Sequence, residues 1–413
     1  MRSITLLLTF SIATATLAAD TNTLALKAIR GDATAVRALR AMGQPGVDAL
    51  MAVRAKAAPQ PFARAVDAVC RQRDCAWSGL YWYTDLDAAK RAAQQSRKPI
   101  LSLRLLGKLD DELSCANSRY FRTLLYANGE VSKYLRANYI LHWQSERPAP
   151  LIDIDFGDGR KLRRTVTGNS IHYVLSPTGQ PLDAIPGLYQ PPAFLSLLRE
   201  GVALHRLVDR MGDARAKTDA LRAYHYNAYY VLAKPSRWAI APLSPANEVR
   251  RSRDDRLAAW AAGSFAPSKS GGEGPVLDRV SFDARAFGMV ADLAAMLKSK
   301  TVGPATIDEH SRSLIQVKRA AAPVASMRSA KSLEALLENL ERTLEADTRI
   351  NEQKFHAQIH RWFAVGEVTT VDAMNDRAYD ELFLTPRDDA WMGLVSDTSF
   401  TGIEGEGLTI AAR

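Results

Sequence analysis

Three cysteines in 413 residues are too few for a disulfide-framework protein. No run of five or six like charges occurs. Lys and Arg total 54 against 45 Asp and Glu, so the formal charge of +9 is dispersed along the chain. A dispersed charge does not mark a nucleic-acid partner. After the first twenty residues no stretch reaches the roughly 18 consecutive apolar residues of a membrane span, so no transmembrane segment is expected in the mature chain. A Gly-rich phosphate loop, a G-x-S-x-G elbow and H-E-x-x-H are all absent. What is present is 47% hydrophobic and 24% charged. That composition buries a core and excludes a mainly disordered or fibrous protein.

The opening MRSITLLLTFSIATATLAAD has a positive n-region at Arg2 and an apolar stretch from Ile4 to Ile12, followed by small residues. This is the pattern of a secretory signal peptide over residues 1–19. It predicts a periplasmic or secreted protein whose mature charge is +8 once Arg2 is removed. An exported chain meets oxidising conditions in which disulfides persist.

Residues 20–76 read as a helical arm. Leu24, Leu26, Ile29, Val36 and Leu39 recur at helical spacing, Asp32 is placed as a cap, and Gly43-Gln44-Pro45-Gly46 breaks the pattern. Residues 77–206 alternate. Helices are expected over 85–96, 117–135 (two, joined at Asn128-Gly129) and 192–208. Strands are expected over 99–106, 139–143, 151–156, 161–167 and 171–175. This alternation predicts an α/β domain with a mixed sheet. Residues 207–413 read as mainly helical, with Leu333, Leu336, Leu337, Leu340 and Leu344 on one face. A Ser/Gly-rich loop is expected at 264–275 and an irregular tail from Gly393.

The segment from Trp82 to Leu198 resembles the thioredoxin-like superfamily, in particular its exported bacterial branch. The matching order is D-L-D-A-A-K-R-A-A (85–93), K-P-I-L-S-L (98–103), C-A-N-S (115–118), N-G-E-V-S-K-Y-L-R-A-N-Y-I (128–140) and S-I-H-Y-V-L-S-P-T-G-Q-P (170–181). The first redox cysteine of that branch lies sixteen residues before a valine, as Cys115 does before Val131. The resemblance implies a thioredoxin-like domain with Cys115 as candidate nucleophile. Two departures stand out. Ser118 replaces the resolving cysteine that completes exchange. Ser170 occupies the place of the family's cis-proline, and a non-proline residue there predicts a trans peptide. Asn169, Ser170 and His172 are the corresponding candidates for a binding groove.

Helix-terminal amides and Arg119 favour a Cys115 thiolate, whereas Asp110, Asp111 and Glu112 oppose it. Cys70 and Cys75 have neither redox nor zinc spacing and are expected to form a local disulfide. The alternative is that one of them reaches Cys115 as a resolving thiol. Asp153 to Gly159 superficially resembles a calcium loop, but alternation with Ile154 and Phe156 reads as a strand and hairpin turn. His356 and His360 lie one helical turn apart and are expected on a partly exposed face. Tyr224, Tyr226, Tyr229 and Tyr230 are expected to pack. No metal and no cofactor are expected. The reading favoured is a degenerate binding or scaffolding module with an exported protein partner. The alternative is monothiol disulfide exchange through Cys115.

Overall fold

The computed structural model describes residues 20–166, 169–233, 307–368, 370–383, 385, 388–392, 395 and 402–410. The expected signal peptide, the loop at 264–275 and most of the tail lie outside them.

The arm comprises α1 (20–29), α2 (Ala33–Ala41), α3 (Gln44–Ala52) and α4 (Pro59–Cys70). The Asp32 carboxylate accepts from the Thr34 and Ala35 amides, satisfying two orphan donors of α2. The break that follows is shorter than the sequence predicts. Gly43 alone turns the chain, at φ 70°, and α3 restarts at Gln44 with Pro45 in its first turn, where a missing N–H costs nothing. Gly46 then packs directly on α2: a Cβ there would lie 1.9 Å from the Leu39 carbonyl oxygen. Leu39, Val47, Leu50, Phe62, Val66 and Val69 form a core belonging to the arm. It ends in a Cys70–Cys75 disulfide with a Cα–Cα separation of 6.4 Å and both residues buried. The bond clamps a tight turn: the Cys75 amide donates to Asp67, and the Trp82 amide donates to the Cys70 carbonyl. From there the chain enters the sheet through a parallel bridge between Tyr83 and His142.

The main strands are β1 (Ile100–Leu106), β2 (Ile140–Arg147), and, after a hairpin of β3 (Leu151–Asp155) and β4 (Lys161–Thr165), β5 (Ile171–Leu175) and β6 (Pro181–Pro186). The order is β2-β1-β5-β6, with β1 parallel to β2 and antiparallel to β5, and β5 antiparallel to β6. The result is a mixed sheet. Every residue of β1 is buried, so helices and connections cover both of its faces. β2 runs four residues beyond its expected end. β6 is absent from the sequence expectation altogether. The hairpin β3–β4 stands apart, with Asp153 on Arg163 and Asp155 on Lys161 across the strands.

Helices surround the sheet: α5 (Leu86–Ser96), α6 (Ala116–Tyr120, continued by a wider π turn to Leu125), α7 (Gly129–Asn138), α8 (Pro191–Asp209) and α9 (Ala214–Ala233). The later helices are α10 (Glu309–Ala320), α11 (Ala330–Ile350), α12 (Ala357–Ala364) and α13 (Val371–Arg377). One continuous apolar cluster joins sheet residues such as Leu103 and Val174 to Leu340, Trp362, Met374 and Phe383. The C-terminal helices therefore complete the core of the sheet. No helix among the described residues is long and apolar enough to cross a membrane.

Candidate functional site

The loop from β1 to α6 determines where Cys115 sits. Gly107 opens it at φ 75°, with Ser114 Cα 3.1 Å from where a Cβ would be. The Cys115 amide then returns to the Leu106 carbonyl at 3.1 Å. Cys115 is thereby held at the N-cap of α6, beside the end of the central strand. Its side chain is fully buried, and its Sγ is hydrogen-bonded to Ser170 Oγ at 3.1 Å. Ser118 turns away from any partner in exchange. Its hydroxyl is 2.6 Å from Ser114 Oγ and 2.9 Å from the Cys115 carbonyl, both within its own turn.

The opposing residues come from the start of β5. Asn169 accepts from the Asn117 amide nitrogen at 3.3 Å, and Ser170 accepts from the Gly187 amide at 2.9 Å. No cis peptide occurs among the described residues, so Ser170 follows a trans bond, as its side chain predicts. His172 points into a box of aromatic rings. Phe121 lies at 4.6 Å and Phe194 at 5.1 Å between ring centres, and the Tyr126 hydroxyl is 2.6 Å from His172 Nε2. Burial pushes the His172 imidazole down to about 3, so the ring is neutral at pH 7. Its Nδ1 has no partner among the described residues. Burial, and secondly the nearby Cys115, raises Tyr126 well above the usual phenol range.

The structure thus brings Cys115, Ser118, Asn169, Ser170 and His172 into one region, but beneath cover. Asn169 is 5% exposed and the other four are sealed. The cover is supplied by the C-terminal part of the chain. Tyr379, buried itself, donates from its hydroxyl to the Asn169 carbonyl at 2.9 Å. Tyr173 donates to Asn375 at 3.1 Å beside it. Both partners lie more than 200 positions away along the chain, so no local pattern announces this cover. Chemically, a thiol enclosed this way is a small apolar side chain with one satisfied hydrogen bond.

Arg119, expected to favour a thiolate, donates to Thr165 at 2.8 Å. Asp110 pairs with Arg71, and Glu112 pairs with Arg73 and Lys318. Neither Cys70 nor Cys75 reaches Cys115, since they pair with each other.

Other candidates fall elsewhere. Tyr224 packs against the core, whereas Tyr226 and Tyr230 are exposed, with ring centres 4.6 Å apart and planes tilted by 51°. The expected partly exposed face of His356 and His360 is corrected: these side chains are 2% and 3% exposed. They are buried because α12 and the π turn before it (Asn351–His356) lie against α9 and β6. His225 from α9, unremarked in the sequence, stands with its Nδ1 2.7 Å from His360 Nδ1. Asp183 from the unexpected strand β6 lies 3.0 Å from His356 Nε2. Burial opposes ionisation of Asp183, but the His356 imidazole beside it prevails and holds the carboxyl low. The same pairing overcomes burial at His356 and raises that imidazole.

The chain matches no known protein-family profile and no curated protein.

Proposed function

We propose that this chain is an exported thioredoxin-fold protein that acts as a binding or scaffolding module and does not carry out dithiol redox turnover. The observation that carries the reading is the enclosure of Cys115, bonded to Ser170 and roofed through Tyr379, with Ser118 where a second thiol is required. Support for the thioredoxin-like part comes from the strand order, in which a parallel pair adjoins two antiparallel strands. A cysteine at the start of the helix after the central strand, facing the residue just before β5, supports it further. Support for export comes from the leader-like opening and from a buried disulfide of the kind oxidising compartments sustain. In this reading the helical regions contact an exported protein partner, with no cofactor in the thioredoxin-like site.

The alternative, monothiol exchange through Cys115, is favoured by its place at the N-cap of α6, where the resemblance puts a nucleophile. Catalytic turnover separates the two. The protein is assayed for reduction of a small aromatic disulfide with excess thiol reductant, beside Cys115→Ser. The module reading predicts equal rates for both, at the level of the reductant alone. A rate that depends on Cys115 contradicts it.

A further inference from the structure

The buried histidines and aspartate contributed by β6, α9 and the start of α12 have no part in the thiol site. Asp183, His225, His356 and His360 are exposed by only 3%, 0%, 2% and 3%. Such a concentration of ionisable groups in a core is costly unless each is paired or bound to an ion. One ligand atom each from Asp183, His225 and His360 lies within 4.8 Å of the others.

Proton accounting decides what His225 offers. Its Nε2 is 2.8 Å from the Leu182 carbonyl, which only accepts, so Nε2 carries the hydrogen. In the neutral imidazole that this bond fixes, the other nitrogen, Nδ1, is a bare lone pair. That lone pair faces His360 Nδ1 at 2.7 Å. An imidazole fixed through one nitrogen by a backbone carbonyl, with the other nitrogen presented inward, is the arrangement of a metal-ligating histidine. Asp183 is oriented in turn, since its Oδ1 accepts from the Ala184 amide at 2.8 Å and from His356 at 3.0 Å. A π turn over Asn351–His356 sets the angle of His356, and such turns recur at functional sites.

We propose that this cluster binds a divalent transition ion of the zinc class, with Asp183, His225 and His360 as ligands and His356 as a positioning residue on Asp183. Two imidazoles and a carboxylate suit zinc and its neighbours and are a poor match for Mg²⁺ or Ca²⁺. Without metal, a proton on His360 Nδ1 bridges the two rings. With metal, that proton moves to His360 Nε2 and both Nδ1 lone pairs turn to the ion. Tetrahedral bonds of about 2.0–2.1 Å place ligand nitrogens about 3.3 Å apart, so the pair opens by about 0.6 Å. With the ion bound, His356 keeps its Nε2–H on Asp183 and holds that carboxylate in place. The fourth position is left to water.

The test uses the full chain, stripped with a chelator and titrated with Zn²⁺ and separately with Co²⁺, with calorimetry and visible absorption as readouts. The expected result is one ion per chain, Kd below about 1 μM, a tetrahedral Co²⁺ band, and no competition from excess Mg²⁺. His225→Gln and His360→Gln should each weaken binding by about 100-fold or more, while His310→Gln, on an exposed helix position, should not. X-ray absorption of zinc-loaded wild type needs no variant and should show nitrogen and oxygen neighbours only. Stoichiometric binding absent in the wild type, affinity unchanged in His360→Gln, or sulfur in the coordination shell (an ion on Cys115) would each overturn the proposal.

Discussion

At the scale of single residues, burial governs the chemistry of the candidate site. His172 is a histidine whose neutral form the fold imposes, because its charged form would be buried among Phe121, Phe194 and Tyr126, with no acid beside it among the described residues. The sign of the consequence follows from linkage. The folded value, about 3, lies below the unfolded value of 6.5, so below pH 6.5 the unfolded chain binds the extra proton. Stability therefore falls as pH drops from 6.5 toward 3. Between pH 6.5 and 5 this one ring should cost about 2 kcal/mol. His172→Gln keeps a partner for the Tyr126 hydroxyl but does not titrate. Its unfolding free energy, from urea melts at pH 6.5 and 5, should fall by about 2 kcal/mol less than wild type over that interval. Parallel losses in the two proteins would show that His172 is not held neutral by burial.

At the scale of elements, capping explains which parts of the fold were legible in the sequence. Asp32, Asp85 and Asn128 each cap a helix through hydrogen bonds spanning two or three residues, so the local pattern contains the cause. The N-G-E-V stretch has a physical reading on the same terms. Asn128 accepts from the Glu130 and Val131 amides at 3.1 Å, Glu130 sits in the positive first turn, and Val131 is buried. Asn128→Ala should cost about 1 kcal/mol in chemical denaturation, and Asn128→Asp should restore most of it. Equal losses in the two variants would contradict a capping role. Strand β6 was not legible for the converse reason. In P-L-D-A-I-P all six residues are buried, so the alternation that identifies a strand is missing. Prolines at both ends and a central aspartate also resemble a turn. The partner that justifies Asp183, His356, lies 173 positions further on. The burial of His356 and His360 was hidden likewise, since it depends on α9 rather than on their own helix.

At the scale of the whole molecule, the C-terminal helices act as a wall of the α/β layer. Arg104, buried in the central strand, pairs with Glu146 on β2 and with Asp372 on α13. Arg147 donates to the Thr385 and Asp389 carbonyls. These contacts carry α13 and the turn bearing Tyr379 over the start of β5, and they turn the thiol region into interior. A division near residue 206 follows the change of pattern along the chain, yet the apolar core runs across it. Cys115 is therefore closed off by the chain's own fold. The decisive measurement is trapping of the thiol with a small aromatic disulfide, in the native protein and in denaturant, from pH 6 to 9. Native Cys115 should remain unlabelled at all of these pH values on a timescale in which the denatured chain is labelled fully. Rapid stoichiometric labelling of the native protein at pH 7 would contradict it.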